Sequence, residues 1–482
     1  KFFLQKIIDQ YDSSFFEEII LICNFNDYKK YKYLNKFKAK FSKLRFLLIK
    51  NKTSNQVETL GKLNKNIKNN DELMILNPDS SFGIDKISIK KNIKKNISGI
   101  IFYVENEKGS INFFNKEKIL KLDDQVLNVY PNNKKISYST KDINITAGLY
   151  YIKQWKLVKE IYSNKKIIKN KNVTCIKYFD YLIKKNHNIS CLPVKNFIDL
   201  GTVNKVREYF FWNEYFKDSR NKKPNNLFKN ITNIIPAAGL GSRHIKLGYE
   251  EPKPLIRVSN KYMIEKSHEA LPGDKTIFIF NYRVSKGYKL NSKSFKNIPN
   301  LKIVNIKNKT KGMAITISRA DKYIEASKPV IISSCDFKCV INYKKLNNLI
   351  IKENPDAIIF TWRNYPFASE SPFSHAYVKV RDNLVIKISE KIPISNNPDN
   401  DFAVTGMFYF KTANTMKYCT KNMIKNKITV NGEYYTATSM IKLLEENKKV
   451  MNFEVDQFIS WSLPEHLQSY NSWENLIKNE KS

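Results

Sequence analysis

Residues 231–254 read Ile-Thr-Asn-Ile-Ile-Pro-Ala-Ala-Gly-Leu-Gly-Ser-Arg-His-Ile-Lys-Leu-Gly-Tyr-Glu-Glu-Pro-Lys-Pro. The apolar run from Ile231 to Ile235 predicts a buried strand. A turn of small residues follows, then an arginine, then a lysine between two prolines. Glycines let backbone N–H groups approach an anion closely, and fixed cations supply the opposing charge. This combination suits a triphosphate better than a neutral ligand. Two other phosphate motifs are excluded by spacing. A dinucleotide fingerprint needs a third glycine where His244 stands, and a P-loop needs Gly-Lys-Ser/Thr after a four-residue gap.

At 482 residues the chain exceeds a usual single domain, and its 42% apolar content can build real cores. No uninterrupted apolar stretch is long enough to span a bilayer. No signal peptide is visible, although the chain begins at Lys1 rather than at methionine. The formal charge of +38 would suit nucleic acid or an anionic membrane. However, lysine, asparagine and isoleucine crowd the whole sequence, and no face or arginine-rich block stands out, so specific nucleic-acid binding is not expected. Cys23, Cys175, Cys191, Cys335, Cys339 and Cys419 are scattered apart from the Cys335/Cys339 pair. That pair lacks a second pair or a nearby histidine to complete a zinc site, and a reducing cytoplasm is the simpler reading.

A long internal repeat is the next signal. The strand-like run Thr276–Phe280 ends in Asn281, and Ile19–Cys23 ends in Asn24, at an offset of 257. Thr310 and Thr53, then Asp336 and Asp79, keep that register. Gly406 in Thr405-Gly406-Met407 parallels Gly148 in Ala147-Gly148-Leu149, and Phe458-Ile459-Ser460 parallels Phe197-Ile198-Asp199. A period this long indicates two copies of one domain fold, not a solenoid. Shifted back by 257, Gly239 and Lys253 fall before Lys1. Either the first copy's loop lies upstream in a longer chain, or that copy lacks one. Short apolar strands alternating with helix-length polar segments predict α/β domains with mostly parallel sheets. Ligands of such sheets sit beyond the carboxyl ends of the strands, where Gly239, Thr310 and Asp336 fall. Domains are expected at 1–217 and 231–482, joined by a polar linker at 218–230.

Gly-x-Gly-Ser-Arg followed by Pro-Lys-Pro resembles the signature of the sugar nucleotidyltransferases, or nucleotide-sugar pyrophosphorylases. The resemblance implies two tandem Rossmann-like nucleotide-diphospho-sugar transferase domains with mixed, mostly parallel sheets, the first without its phosphate loop. It implies the reaction of an NTP with a sugar 1-phosphate to give a nucleotide-sugar and pyrophosphate. Ala238, Gly239, Leu240, Gly241 and Ser242 would hold the nucleotide phosphates, and Arg243 and Lys253 would neutralise charge on the leaving group. Gly312, in Lys311-Gly312-Met313-Ala314, falls where the family reads the base, although a helix start explains it equally well. Glu390, Lys391, Gly406 and Glu433 match the family's sugar-phosphate contacts. Their plain alternatives are a surface ion pair and a turn after Asn431-Gly432. Asp336 directly follows an apolar run, which suits a Mg²⁺ ligand as well as a turn cap.

One departure stands out. The family's second metal aspartate survives in the first copy as Asp199, but Ser460 replaces it in the second, with Asp456, four residues earlier, as the acid that could substitute. The first copy has Asn132-Asn133 where Glu-Lys would fall. Three other readings remain. A phosphocholine-type cytidylyltransferase would need an aromatic box, for which Trp362 and Tyr365 are the candidates. A glycosyltransferase would want a second acid that Asp336-Phe337-Lys338 lacks. A non-catalytic pair of degenerate domains would act in regulation or assembly. The expected partners are the NTP and sugar 1-phosphate with Mg²⁺, in the cytoplasm, and an oligomer is compatible with the sequence.

Overall fold

The computed structural model describes residues 15–30, 41, 43–105, 117–130, 143–164, 167, 169–170, 173–217, 228–239, 241–295, 298, 300–363 and 371–479. The chain divides into two compact units, Phe210–Lys478 and Lys1–Tyr209 with the terminal Asn479–Ser482. The boundary falls inside the helix Val203–Lys217. Most of the expected linker, 218–227, and the pair Asn132-Asn133 lie outside the described residues.

The first unit contains strands β1 (Ile19–Asn24), β2 (Leu44–Ile49), β3 (Leu73–Leu76), β4 (Ser80–Gly83), β5 (Gly99–Val104), β6 (Lys118–Leu122), β7 (Gln125–Tyr130), β8 (Ile143–Ile152), β9 (Ile189–Pro193) and β10 (Lys195–Asp199). Six of them form a sheet in the order β3-β8-β5-β9-β7-β6, in which β7 and β8 run against the rest. β1 and β2 pair in parallel as a separate two-stranded sheet, and β4 pairs with β10.

The second unit contains β11 (Thr232–Ala237), β12 (Arg257–Val258), β13 (Lys261–Tyr262), β14 (Lys275–Asn281), β15 (Leu301–Ile306), β16 (Val330–Ile332), β17 (Phe337–Val340), β18 (Ala357–Trp362), β19 (Ala376–Arg381), β20 (Leu384–Glu390), β21 (Phe402–Phe410), β22 (Val450–Glu454) and β23 (Gln457–Ser460). The main sheet has nine strands in the order β15-β14-β11-β16-β21-β18-β22-β20-β19. Only β20 and β21 run against the others, so the sheet is mixed but mostly one-directional. β11 is the strand predicted from Ile231–Ile235. It lies between β14 and β16 and pairs in parallel with both, so it joins β14 and β15 to the rest of the sheet.

Alternation along these strands builds two cores, one on each sheet face. Ile235, Phe278, Phe280, Ile331, Ile358 and Phe360 point to one side. Ile234, Ile277, Ile279, Val330, Ile332 and Ile359 point to the other. The helices Met263–His268 and Tyr343–Glu353 cover the first face through Ile264 and Leu346. The helices Met313–Ser318 and Ala413–Lys425 cover the second through Ile317, Met416 and Cys419. The layering is α/β/α. Each fully buried phenylalanine here contributes about 3–5 kcal/mol against truncation to alanine.

The six-stranded sheet of the first unit and the run β16-β21-β18-β22-β20-β19 of the second share one order and one set of directions. Both carry a bulge at the same place, between Ile101 and Tyr103 against β8 and between Ile359 and Thr361 against β21. Thr53 and Thr59 share a 2.6 Å hydroxyl hydrogen bond, and so do Thr310 and Thr316. Asn24 and Asn281 each accept a backbone N–H two residues on, at 2.9 Å. Gly148 and Gly406 both take positive φ, +75° and +94°.

Candidate active site

β11 ends at Ala237, and the chain turns through the glycines into the short helix Ser242–Lys246. Gly241 sits at φ +66°, in the left-handed region, and a Cβ there would lie 2.6 Å from the Cβ of Lys253. Any other residue would be strained and would push the lysine away. Gly239 has nothing within 4 Å of a would-be Cβ, so its backbone faces open space. Leu240 lies outside the described residues. Arg243 is exposed, while His244 is buried at 1% exposure.

Lys253 opens the tight turn Lys253–Leu255, with Pro252 and Pro254 on either side. The rings fix the neighbouring backbone and so aim the lysine. Its Nζ donates to Asp336 Oδ2 at 2.6 Å and to the Ser462 carbonyl at 3.1 Å. Ser334 Oγ donates to Asp336 Oδ1 at 2.6 Å. Burial disfavours the charged carboxylate, but the Lys253 ammonium and these hydrogen bonds outweigh it, and the Asp336 pKa lies below the usual range. Pro236, Ala237, Gly239, Gly241, Ser242, Arg243, Lys253 and Asp336 line one open cavity of about 370 Å³, together with His244, Ser334 and Ser462. Ala238, partly buried against the second core, does not line it.

A second cluster forms on β20 and the segment 433–438. Glu390 ends β20 and accepts from Thr438 Oγ1 at 3.3 Å. Burial raises its pKa to about 7, against the pull of Lys391 and Thr438. Lys391 adopts φ +63°, unusual for a lysine, and its Nζ lies 5.2 Å from the Tyr435 ring centroid. Burial lowers the Lys391 pKa, Glu390 and Glu433 raise it, and Arg243 lowers it further. These couplings tie the cluster to the arginine that follows the glycine loop. Glu433 is indeed presented by a tight turn: Asn431 and Gly432 have φ of +50° and +75°, and Val430 bridges to Glu433. Tyr435 donates to its carboxylate at 2.8 Å.

Gly312 does open a helix, but it also meets the neighbouring segment closely. At φ +107°, a Cβ would lie 2.5 Å from the Tyr434 carbonyl oxygen. Tyr434 N donates to Lys311 O, and Ala314 N donates to Tyr434 O. The loop expected to read the base is therefore stitched to the turn that carries Glu433. Gly406 does not reach the cavity lining. It lies on β21, where a Cβ would come 3.2 Å from the Phe337 ring, next to Asp336.

Two expectations are corrected. Asp456 does not stand in for the acid missing at Ser460. It precedes β23 and bonds Val340, whereas Ser460 ends β23 opposite Phe337. Four residues of strand separate the two by roughly 13 Å. Trp362 does not open an aromatic box. It is 3% exposed and stacks on Phe458 at 5.2 Å, inside the core. Tyr365 lies outside the described residues. Ser334, Ser462, Thr438 and Tyr435 were missed in the sequence. Only Ser334, two residues before Asp336, had a spacing that pointed to it.

In the first unit, Asp79 and Asp199 come together. A Cβ on Gly201 would lie 3.1 Å from Asp79 Oδ2 and 3.3 Å from Asp199 Oδ1, and Leu200 N donates to Asp79 O. Among the described residues of that unit, no strand occupies the place that β11 takes in the second.

A family model described as nucleotidyl transferase matches residues 232–466. Solved structures with similarity include a nucleoside-diphosphate-sugar pyrophosphorylase from Vibrio cholerae RC9, at 18% identity and TM-score 0.42 over 49% of this chain and 98% of that one. A putative glucose-1-phosphate thymidylyltransferase from Bacillus anthracis gives 15% identity and TM-score 0.40 over 50% and 94%. An inositol-1-phosphate CTP transferase from T. maritima gives 15% and 0.39 over 51% and 96%. No curated protein matches the chain. The matched span, which takes in β11, the glycine loop, Lys253 and Asp336, is a nucleotidyl transferase domain.

Proposed function

We propose that the second unit joins an NTP to a sugar 1-phosphate, giving a nucleotide-sugar and pyrophosphate. The observation that carries this reading is the single cavity shared by the glycine loop, Arg243, Lys253 and Asp336, with Lys391 electrostatically coupled to Arg243. A sugar-phosphate oxygen attacks the α-phosphorus, a new P–O bond forms, and the bond to the β-phosphate's bridging oxygen breaks as pyrophosphate leaves. Such a step needs positioning and charge stabilisation rather than a protein nucleophile. Gly239 to Ser242 cradle the β- and γ-phosphates, and Arg243 and Lys253 stabilise charge on the leaving group. Lys391, Glu390 and Glu433 orient the sugar phosphate, and the loop around Gly312 faces the base.

The donor set at Asp336 fits Mg²⁺ as one hard carboxylate, because this ion commonly takes one or two carboxylates and completes its shell with water and substrate phosphates. Asp336 would hold it, and the ion supplies charge neutralisation at the α-phosphate when bound. A cytoplasmic setting, where nucleoside triphosphates are made, goes with this reading.

The phosphocholine alternative loses one of its two aromatic candidates with Trp362 in the core. We also take the first unit as a second copy of the fold, on the shared strand order, bulge and threonine pairs. Pyrophosphate release tests the main reading. Incubation of the full chain with Mg²⁺ and matched panels of NTPs and sugar 1-phosphates is expected to release pyrophosphate only when both substrates are present. Absence of pyrophosphate release with every NTP and sugar 1-phosphate pairing would favour a non-catalytic, regulatory role.

A further inference from the structure

The carboxylate that would receive a metal is already occupied on both sides. Lys253 Nζ sits on Asp336 Oδ2 at 2.6 Å, and Ser334 Oγ sits on Oδ1 at 2.6 Å. The same ammonium donates to the Ser462 carbonyl at 3.1 Å, so it bridges the ends of the two segments that frame the position. The residue across from it, Ser460, is a hydroxyl engaged with Ser462 Oγ at 2.9 Å. At the matching place in the first unit two carboxylates, Asp79 and Asp199, flank Gly201.

The difference is one of charge. In the second unit one carboxylate and one ammonium sum to zero. An incoming divalent ion meets no net attraction there and must both shed water and dislodge a lysine. Mg²⁺ dehydrates reluctantly and binds poorly without several anionic oxygens. Among the described residues, no group of three His, Cys, Asp or Glu side chains is placed to hold a metal. Nucleotide phosphates reverse the balance, because they supply anionic oxygens to the ion and a new partner to Lys253.

Resting on the nucleotidyltransferase reading, we propose that the second unit has no resident divalent-cation site: the ion enters only with the nucleotide's phosphates and takes the Asp336 oxygen that Lys253 holds beforehand. Ser460 makes the site conditional, and Lys253 passes from carboxylate to phosphate as the ion arrives.

The test is Mn²⁺ binding to the full chain, followed by electron paramagnetic resonance of the free ion. An Asp79→Asn background keeps the first unit's carboxylate pair from contributing. Without nucleotide, no Mn²⁺ binding that depends on Asp336 is expected. With the α,β-methylene analogues of UTP, CTP, ATP, GTP and TTP tried in turn, the analogue that binds is expected to bring one Mn²⁺, lost in Asp336→Asn. Ser460→Asp is expected to tighten nucleotide-free Mn²⁺ binding by about tenfold or more, through the added ligand charge. Stoichiometric, Asp336-dependent Mn²⁺ binding without nucleotide would overturn the proposal even if Ser460→Asp failed to fold, and would leave the functional reading standing. Failure of every analogue to bind, with or without Mn²⁺, would remove the functional reading and this proposal together.

Discussion

The two units share six strands in one order, yet they carry different residues at the corresponding strand ends. The second has the glycine loop, Arg243 and Lys253, with a lone acid paired to that lysine. The first has the acid pair Asp79 and Asp199, and no strand among its described residues in the place of β11. The sheet shows what that strand does. In the second unit β11 pairs with both β14 and β16, and everything joins into nine strands. In the first, β1 and β2 form a sheet of their own. The strand that carries the glycine loop is thus also the strand that joins the sheet, so loop and architecture go together.

The contrast is sharpest for the phosphate cations. Arg243→Ala or Lys253→Ala is expected to slow pyrophosphate release by about a hundredfold or more, the usual cost of losing a transition-state donor. Near-normal turnover in either would break the assignment. Asp336→Asn should also cost about tenfold to a hundredfold in rate, whereas Asp79→Asn should leave turnover unchanged. Comparable losses in the two variants, measured in the same pyrophosphate assay, would show that the first unit takes part in the chemistry.

A smaller effect is expected at Gly312. Gly312→Ala forces a positive φ on alanine and a contact with the Tyr434 carbonyl, for roughly 1–3 kcal/mol of local strain. It should weaken nucleotide binding more than it slows turnover at saturation, which the split between KM and kcat reads. The position 257 residues earlier in the first unit is Asn55, in extended backbone at φ −159°, so Asn55→Ala should lack the strain and lose instead a helix cap and the amide hydrogen bonds to the Ile167 and Asn170 carbonyls.

The last prediction concerns pH. Burial raises the Glu390 pKa to about 7 from an ordinary 4.5. In this interval the folded chain holds a proton that the unfolded chain releases, so the associated stability is fully present below about pH 4.5. It is lost as pH rises through about 7. Glu390→Gln should flatten that part of the stability curve by on the order of 1–3 kcal/mol, seen as a smaller fall in urea midpoint between pH 5 and pH 8. An unchanged slope would mean that Glu390 is already ionised at low pH.

Much of this organisation was legible in the chain itself. β11, the glycine turn and the lysine between prolines are local features, because strand pattern, left-handed glycines and proline-fixed turns depend on a few neighbouring residues. The strand order that the two units share was foreshadowed by equal spacing of like residues, as in Thr53 and Thr310 or Asn24 and Asn281. The turn that presents Glu433 was legible from Asn431-Gly432 alone.

Tertiary structure decided the rest. Which group sits on Asp336 depends on Lys253, 83 residues away, and on the Ser462 carbonyl, 209 residues from that lysine. It took the β17–β23 register to place Asp456 at the wrong end of its strand, and the core packing around Phe458 to bury Trp362. Sequence spacing encodes what neighbouring residues do along one element. Contacts between distant segments are set by strand register and by which side chains fill the space between the layers, and no local pattern records that choice.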